Sequence, residues 1–196
     1  LNGFKEYPTE IAEVASMTME LFSMDHWDVF FSDPAELSRA KEQQLERVIT
    51  IFPWIATIDK FQHWIYTHPT HTHFEREEQW MKIVQEFTSP LVDFTGLEKY
   101  RGVLWQRQLH LFEVPFYYIE YGIAQLGAIG LWQQYKKDPA AALQNYLQAL
   151  SLGGTRTLPQ LFEAAALSFD FSGPKISQLM QFVKSELDQI TLTTSS

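Results

Sequence analysis

The sequence has no cysteine among its 196 residues. This absence excludes a disulfide framework, a thiolate zinc site and a cysteine nucleophile, and it favours a reducing, cytoplasmic location. Basic residues are also few: 15 lysines and arginines stand against 24 acids, which gives a net charge of -9. Since general nucleic-acid binders carry the opposite sign, we expect no nucleic-acid partner.

Long hydrophobic runs are lacking as well. The longest apolar segment, residues 119–131, is interrupted by Glu120, Gln125 and three glycines, so we expect no membrane span. The chain begins Leu-Asn-Gly-Phe, without an initiator methionine and without a signal-peptide pattern. We therefore expect it to be the C-terminal piece of a longer protein.

Apolar residues at helical spacing occupy most of the sequence. Hydrophobic residues make up 45% of the chain, which is enough for a sizeable core. The pattern predicts helices over residues 10–22, 35–66, 70 or 72–87, 96–111, 116–135, 140–150, 158–167 and 173 to about 190. Because no segment has a convincing strand pattern, the predicted fold class is all-α, a packed multi-helix array. Residues 191–196 are expected to form a polar tail that frays.

Two features predict how these helices pack. Pro53 lies inside the predicted helix 35–66, which it should kink or divide. The helix 116–135 contains Gly122, Gly127 and Gly130. Each costs about 1 kcal/mol relative to alanine in a helix, so three together suggest close packing against neighbouring helices.

Two acidic residues within the first predicted helix, 10–22, are candidates for a site. Glu13 and Glu20 are two turns apart, so they share one face, close to an apolar stripe. A carboxylate at the edge of a core needs a compensating cation or metal. The alternative is a solvated helix start that the helix dipole favours.

Three histidines lie close together in Thr67–His73, at positions 68, 71 and 73. His71 and His73 are two residues apart, which a helix points in different directions. The zinc-peptidase arrangement needs two histidines at i and i+4 with a glutamate between them, and this segment lacks it. A loop with solvated histidines is therefore favoured over a local metal-storage site.

The segment from His110 to Tyr121 is the third candidate. It holds one histidine and three tyrosines, and Tyr118 and Tyr121 share a helix face near the helix start. Phenols in such a position can donate hydrogen bonds to a developing oxyanion. The alternative is a set of core aromatics whose hydroxyls are already satisfied.

The chain resembles the C-terminal part of the oligoendopeptidase F branch of the thimet-type zinc metallopeptidases. Four stretches carry the resemblance, and together they are specific: Glu10–Ser16, Ile58–Pro69, Trp105–Gly122 and Leu150–Thr155. The resemblance implies that residues 1–190 are the C-terminal part of a peptidase catalytic domain. It also implies short peptides as substrates.

The resemblance assigns a zinc ligand to this chain. In the family, two histidines of a His-Glu-x-x-His helix and one downstream glutamate hold the metal, and the glutamate motif matches Ile-Ala-Glu-Val-Ala-Ser at residues 11–16. Glu13 is then the third ligand, and Glu20 orients a ligand histidine. The later histidine and tyrosines that hold the substrate backbone and the tetrahedral intermediate match His110, Tyr118 and Tyr121, with Tyr117 as the alternative phenol.

The sequence departs from the family because it contains no His-Glu-x-x-His. The resemblance places this motif within roughly 30 residues before Leu1, on an upstream half of the same polypeptide that acts as a partner. A catalytic zinc takes three protein ligands, so we expect these 196 residues alone to bind zinc weakly and to cleave nothing. The rival hypothesis is a non-catalytic helical interaction module whose aromatic surplus forms a partner-binding face.

Overall fold

The structure, a computed structural model, describes residue 3 and residues 5–194, with the side chains of residues 192–194 left out. In this part of the chain all regular structure is helical, which confirms the all-α prediction. The α-helices are α1 (Thr9–Ser23), α2 (Pro34–Thr67), α3 (His73–Phe87), α4 (Glu98–Arg101), α5 (His110–Glu113), α6 (Tyr118–Tyr135), α7 (Pro139–Ser151), α8 (Leu158–Ala164) and α9 (Gly173–Thr194). None of the described helices combines the length and apolar composition that a bilayer span requires.

Capping residues explain where two of these helices begin. The Thr72 hydroxyl accepts a hydrogen bond from the Glu75 N–H at 3.2 Å, and Glu75 Oε2 accepts one from the Thr72 N–H at 2.8 Å. This reciprocal pair satisfies two donors at the start of α3. Helix α7 begins in a similar way, because the Asp138 carboxylate accepts from the Ala141 N–H at 3.1 Å and Pro139 occupies the first turn.

The predicted helix over residues 96–111 is wrong. The structure has α4, a 3-10 helix over Leu104–Arg107 and then α5. Trp105 is buried against the core, and the Trp80 indole N–H donates to the Arg101 carbonyl at 2.8 Å. In a continuous helix the Arg101 carbonyl would accept a hydrogen bond from the Trp105 N–H. Here it accepts one from the Trp80 side chain instead.

Other helix ends differ from the prediction by a few residues. Helix α2 continues through Pro53 without dividing, and α6 begins at Tyr118 rather than at residue 116. Helix α8 ends at Ala164, before Ala166 takes a positive φ of 55°. Helix α9 runs past the predicted end at residue 190 into the expected tail, whose last two residues, 195 and 196, lie outside the described part.

The chain divides into two compact units. The terminal unit comprises Leu1–Ile49 and Ile123–Ser196. In it, α1 contacts α7 and α8, and the Phe22 and Tyr135 rings stack with centroids 4.3 Å apart. The Tyr146 hydroxyl donates to the Ala15 carbonyl at 3.1 Å, which ties α7 to α1.

Two glycines of α6 allow the close packing that the sequence predicts within the terminal unit. A Cβ added at Gly127 would lie 3.0 Å from Val14 Cγ2 and 3.2 Å from the Phe162 ring. A Cβ at Gly130 would lie 2.7 Å from Leu167 Cδ2. Larger residues at these two positions would push α6 away from its neighbours.

The middle unit, Thr50–Gly122, has an aromatic core. Phe61 packs its ring 4.9 Å from Trp80 and 5.7 Å from Trp105, centroid to centroid, and Trp54 meets Trp80 edge to face at 5.9 Å. The buried members of this core are Ile58, Phe61, Trp80, Ile83, Val84 and Trp105. This core supports the segment from His110 to Tyr121, because Leu111 and Tyr118 pack against it.

Candidate active site

A sharp change of backbone direction brings His110 next to the tyrosines. Val114 ends α5 in a non-helical conformation, as expected for the residue before a proline. Phe116 then takes a positive φ of 61°, and the Tyr117 N–H donates to the Val114 carbonyl at 3.1 Å. A non-glycine residue in this region costs about 1–2 kcal/mol. The Phe116 ring packs against His63 and Tyr66, with centroids 5.0 and 5.1 Å away.

The structure brings together the four residues that the sequence selected in this segment. The His110 ring centroid lies 5.7 Å from that of Tyr117, 5.0 Å from Tyr118 and 5.6 Å from Tyr121. His110 Nε2 and the Tyr121 hydroxyl oxygen are 3.4 Å apart. All four side chains are half-buried, so each is partly accessible to a ligand. We call these four residues the His110 cluster.

Two residues that sequence reasoning missed connect to the His110 cluster through hydrogen bonds. Gln108 Nε2 lies 2.6 Å from His110 Nδ1, and the Trp54 indole N–H donates to Gln108 Oε1 at 3.0 Å. Trp54 is 54 positions away from Gln108. No spacing rule connects the two residues, because only the tertiary fold makes them neighbours.

The surroundings of Tyr118 favour the neutral form of its phenol. Burial raises the pKa of Tyr118 above its ordinary value. A hydrogen bond from Trp54 lowers the pKa by a smaller amount, and the neighbouring Tyr121 raises it further. Tyr118 therefore keeps its proton at neutral pH and can donate a hydrogen bond.

The two glutamates that the sequence selected lie in the terminal unit. Glu13 is half-buried on α1, between the buried residues Ile11 and Val14. Glu20 is exposed, and its Oε2 accepts a hydrogen bond from Gln44 Nε2 of α2 at 3.0 Å. The spacing predicts both glutamates close to the apolar stripe, and the structure places Glu13 at the edge of the core but leaves Glu20 exposed.

A complete group of zinc ligands is missing from the part of the chain that the structure describes. Among the described residues, no group of three or more histidine, aspartate and glutamate side chains is arranged to hold a metal. A catalytic zinc takes three protein ligands and an open position, whereas Glu13 offers one carboxylate.

The histidine loop, Thr67–His73, has its own set of contacts. His68 Nδ1 lies 2.9 Å from the Trp64 carbonyl oxygen. Arg76 Nε donates to His71 Nε2 at 2.7 Å, and His71 Nδ1 hydrogen-bonds the His68 carbonyl. His73 is exposed as the first residue of α3. These contacts hold the loop to the adjoining helix ends.

Comparison with known proteins identifies the family. Residues 1–180 match Peptidase family M3. The chain belongs to this family. None of the curated proteins matches the M3 chain.

Three solved structures share the fold of the M3 chain. A structure of PZ peptidase A with an inhibitor is 29% identical, with a TM-score of 0.86 over 95% of this chain and 33% of that one. A provisionally assigned oligoendopeptidase F is 31% identical, with a TM-score of 0.81 over 93% of this chain and 32% of that one.

The third structure, from Bacillus anthracis strain Ames, is also provisionally assigned as an oligoendopeptidase F. It is 23% identical, with a TM-score of 0.73 over 95% of this chain and 30% of that one, and at this identity it shows the fold alone. The M3 chain therefore spans about a third of the length of the structures that it matches.

Proposed function

We propose that the M3 chain is part of a zinc-dependent oligoendopeptidase that hydrolyses internal bonds of short peptides in the cytoplasm. The observation that carries the proposal is the His110 cluster, in which three phenols surround one imidazole at centroid distances of 5.0–5.7 Å. Family membership supports it, because the matched family is one of peptidases.

In this proposal the His110 cluster binds the peptide and stabilises the oxyanion. Tyr118 or Tyr121 donates its O–H to the carbonyl oxygen that gains negative charge during hydrolysis. The raised pKa of Tyr118 keeps that proton on the phenol at neutral pH. His110 holds the oxyanion or the substrate backbone, and Tyr117 lines the same surface.

Zinc is the proposed cofactor of the complete enzyme, in which it activates a water molecule. Glu13 supplies one ligand, and its place at the edge of the α1 core suits a carboxylate that a cation compensates. We assign to Glu20, two turns further along α1, the role of orienting a ligand histidine. The remaining ligands and the general base come from an upstream half of the same polypeptide.

The direct test is cleavage of a quenched fluorescent peptide by the purified 196-residue chain, with and without zinc or a chelator. We expect no turnover under any of these conditions. Turnover that a chelator abolishes, from a sample whose intact mass shows this chain alone, would contradict the assignment of ligands.

A second arm tests the partner. The coding region upstream of residue 1 should encode His-Glu-x-x-His, and the polypeptide that it encodes should restore chelator-sensitive cleavage when added to this chain. Inactivity of the combined halves, with both folded, would contradict the proposal.

A second candidate function is a non-catalytic helical interaction module. Exposed apolar side chains beside the His110 cluster favour it: Leu109 is 61% exposed and Phe112 is 57% exposed. The upstream sequence discriminates between the two functions, since only the peptidase requires the zinc-binding motif there.

A further inference from the structure

The orientation of the Gln108 amide follows from its contact with Trp54. An indole N–H can donate a hydrogen bond but cannot accept one, so the atom of Gln108 that faces Trp54 at 3.0 Å is the amide oxygen. The amide nitrogen of Gln108 therefore faces His110. The single Trp54 N–H is shared with the Tyr118 hydroxyl, and both of its contacts require an acceptor.

The orientation of Gln108 fixes the protonation of the His110 ring. An amide NH₂ only donates, so His110 Nδ1, 2.6 Å from Gln108 Nε2, must accept and carries no proton. In the neutral ring the proton then resides on Nε2. Nε2 lies on the side of the ring that faces the Tyr121 hydroxyl, at 3.4 Å.

We propose that Trp54 and Gln108 are positioning residues that hold His110 in its Nε2-protonated tautomer. This turns an N–H donor toward the tyrosines, where a carbonyl oxygen of a bound peptide could accept from it. The benefit to catalysis rests on the proposed function, but the tautomer itself does not. The two can therefore be tested separately.

His71 provides an internal reference with the opposite tautomer. Arg76 Nε can only donate, so His71 Nε2, at 2.7 Å, accepts and carries no proton. The proton of the neutral His71 ring then resides on Nδ1, which hydrogen-bonds the His68 carbonyl. One protein should thus contain both tautomers, each fixed by a neighbouring donor.

The experiment is nitrogen-15 NMR of the histidine rings in the 196-residue chain, at about pH 8, above the ordinary imidazole pKa of about 6.5. The ring nitrogen that carries the proton resonates at a markedly lower frequency than the other one. The variants His110→Gln and His71→Gln assign the two rings. We expect the low-frequency resonance at Nε2 of His110 and at Nδ1 of His71.

The variant Gln108→Glu tests the cause. A carboxylate accepts hydrogen bonds and cannot donate to Nδ1, so we expect Nδ1 of His110 to become protonated and its resonance to move to low frequency. Gln106→Glu, an exposed position two residues earlier, adds the same charge and should leave the His110 resonances in place.

The outcomes separate this inference from the proposed function. A proton on Nδ1 of His110 in the wild-type chain overturns the inference whatever the activity, and this result does not depend on any variant folding. An unchanged His110 spectrum in a folded Gln108→Glu variant also overturns it. If the tautomer is as expected but the tyrosines prove dispensable for cleavage, the proposed function fails and the assignment of Trp54 and Gln108 stands.

Discussion

The middle unit contains two candidate segments, a loop with three histidines and a cluster with one, and their histidines make different contacts. In the histidine loop, His68 and His71 contact backbone carbonyls, and Arg76 occupies the remaining ring nitrogen of His71. In the His110 cluster, Nδ1 of the imidazole contacts the Gln108 amide and Nε2 faces the Tyr121 hydroxyl. The loop has more histidines, but its contacts are those of a helix connection.

We infer from this difference that the hydrogen-bond partners of a histidine indicate its role better than the number of histidines nearby. A ring whose hydrogen bonds are made to its own loop and the adjoining helices contributes to local structure. A ring that is oriented by a neutral amide and surrounded by half-buried phenols can act on a ligand. Changes in the cluster should therefore alter catalysis, whereas changes in the loop should alter stability.

The largest effect is expected from the phenols of the cluster. In the complete protein, Tyr118→Phe or Tyr121→Phe should lower kcat for peptide cleavage by about 10²–10³, because each removes one donor to the oxyanion. Steady-state kinetics on a fluorescent peptide measures this. Tyr100→Phe, at a tyrosine that is 68% exposed, is the control and should leave kcat unchanged. Losses below about twofold at both cluster positions would remove the oxyanion role from them.

An intermediate effect, on stability rather than catalysis, is expected at the end of the histidine loop. Thr72→Ala removes the hydroxyl that accepts a hydrogen bond from the Glu75 N–H in the α3 capping box. It should lower the free energy of unfolding by about 1 kcal/mol. Urea unfolding followed by circular dichroism measures this. Thr70→Ala, an exposed threonine in the same loop, is the matched control. An equal loss in both variants would show that the cap is not the cause.

The same capping box predicts a smaller effect that depends on pH. Hydrogen bonds from the backbone and then the side chain of Thr72 hold the pKa of Glu75 below its ordinary value of about 4.3. A lowered carboxyl pKa contributes stability that is present above the unfolded pKa and is lost as pH falls through the folded pKa.

The variant Glu75→Gln removes this titration and so measures it. Wild type should be more stable than Glu75→Gln above about pH 4.3, and the difference should shrink as the solution is acidified. Denaturant unfolding over a series of pH values gives the profile. A difference that grows on acidification would have the wrong sign for this cap.

Periodicity predicted most of the fold because most helices bury one continuous apolar face. It failed over residues 96–111, where the Trp80 side chain takes a backbone carbonyl that a helix would use. It also did not predict the positive φ of Phe116, whose ring packs against His63 and Tyr66. Such features depend on tertiary contacts that no local pattern contains.

The sequence predicted only part of the candidate site, because the other part also depends on tertiary contacts. His110, Tyr118 and Tyr121 lie within twelve consecutive residues. The helical spacing of the two tyrosines and the family resemblance could therefore select them. Trp54 and Gln108 could not be selected, because their relation to His110 arises only when α2 packs beside the α5 segment. The roles of Glu13 and Glu20 stay predictions that rest on the resemblance.

The most direct test compares one histidine of the cluster with the three of the loop. We would measure kcat for peptide cleavage by the complete protein as wild type, as His110→Ala, and with alanine at His68, His71 and His73 together. We expect a loss of about 10²-fold or more for His110→Ala and a change within about twofold, at unchanged metal content, for the triple variant. Equal losses in the two variants, or a loss in the triple variant alone, would contradict it.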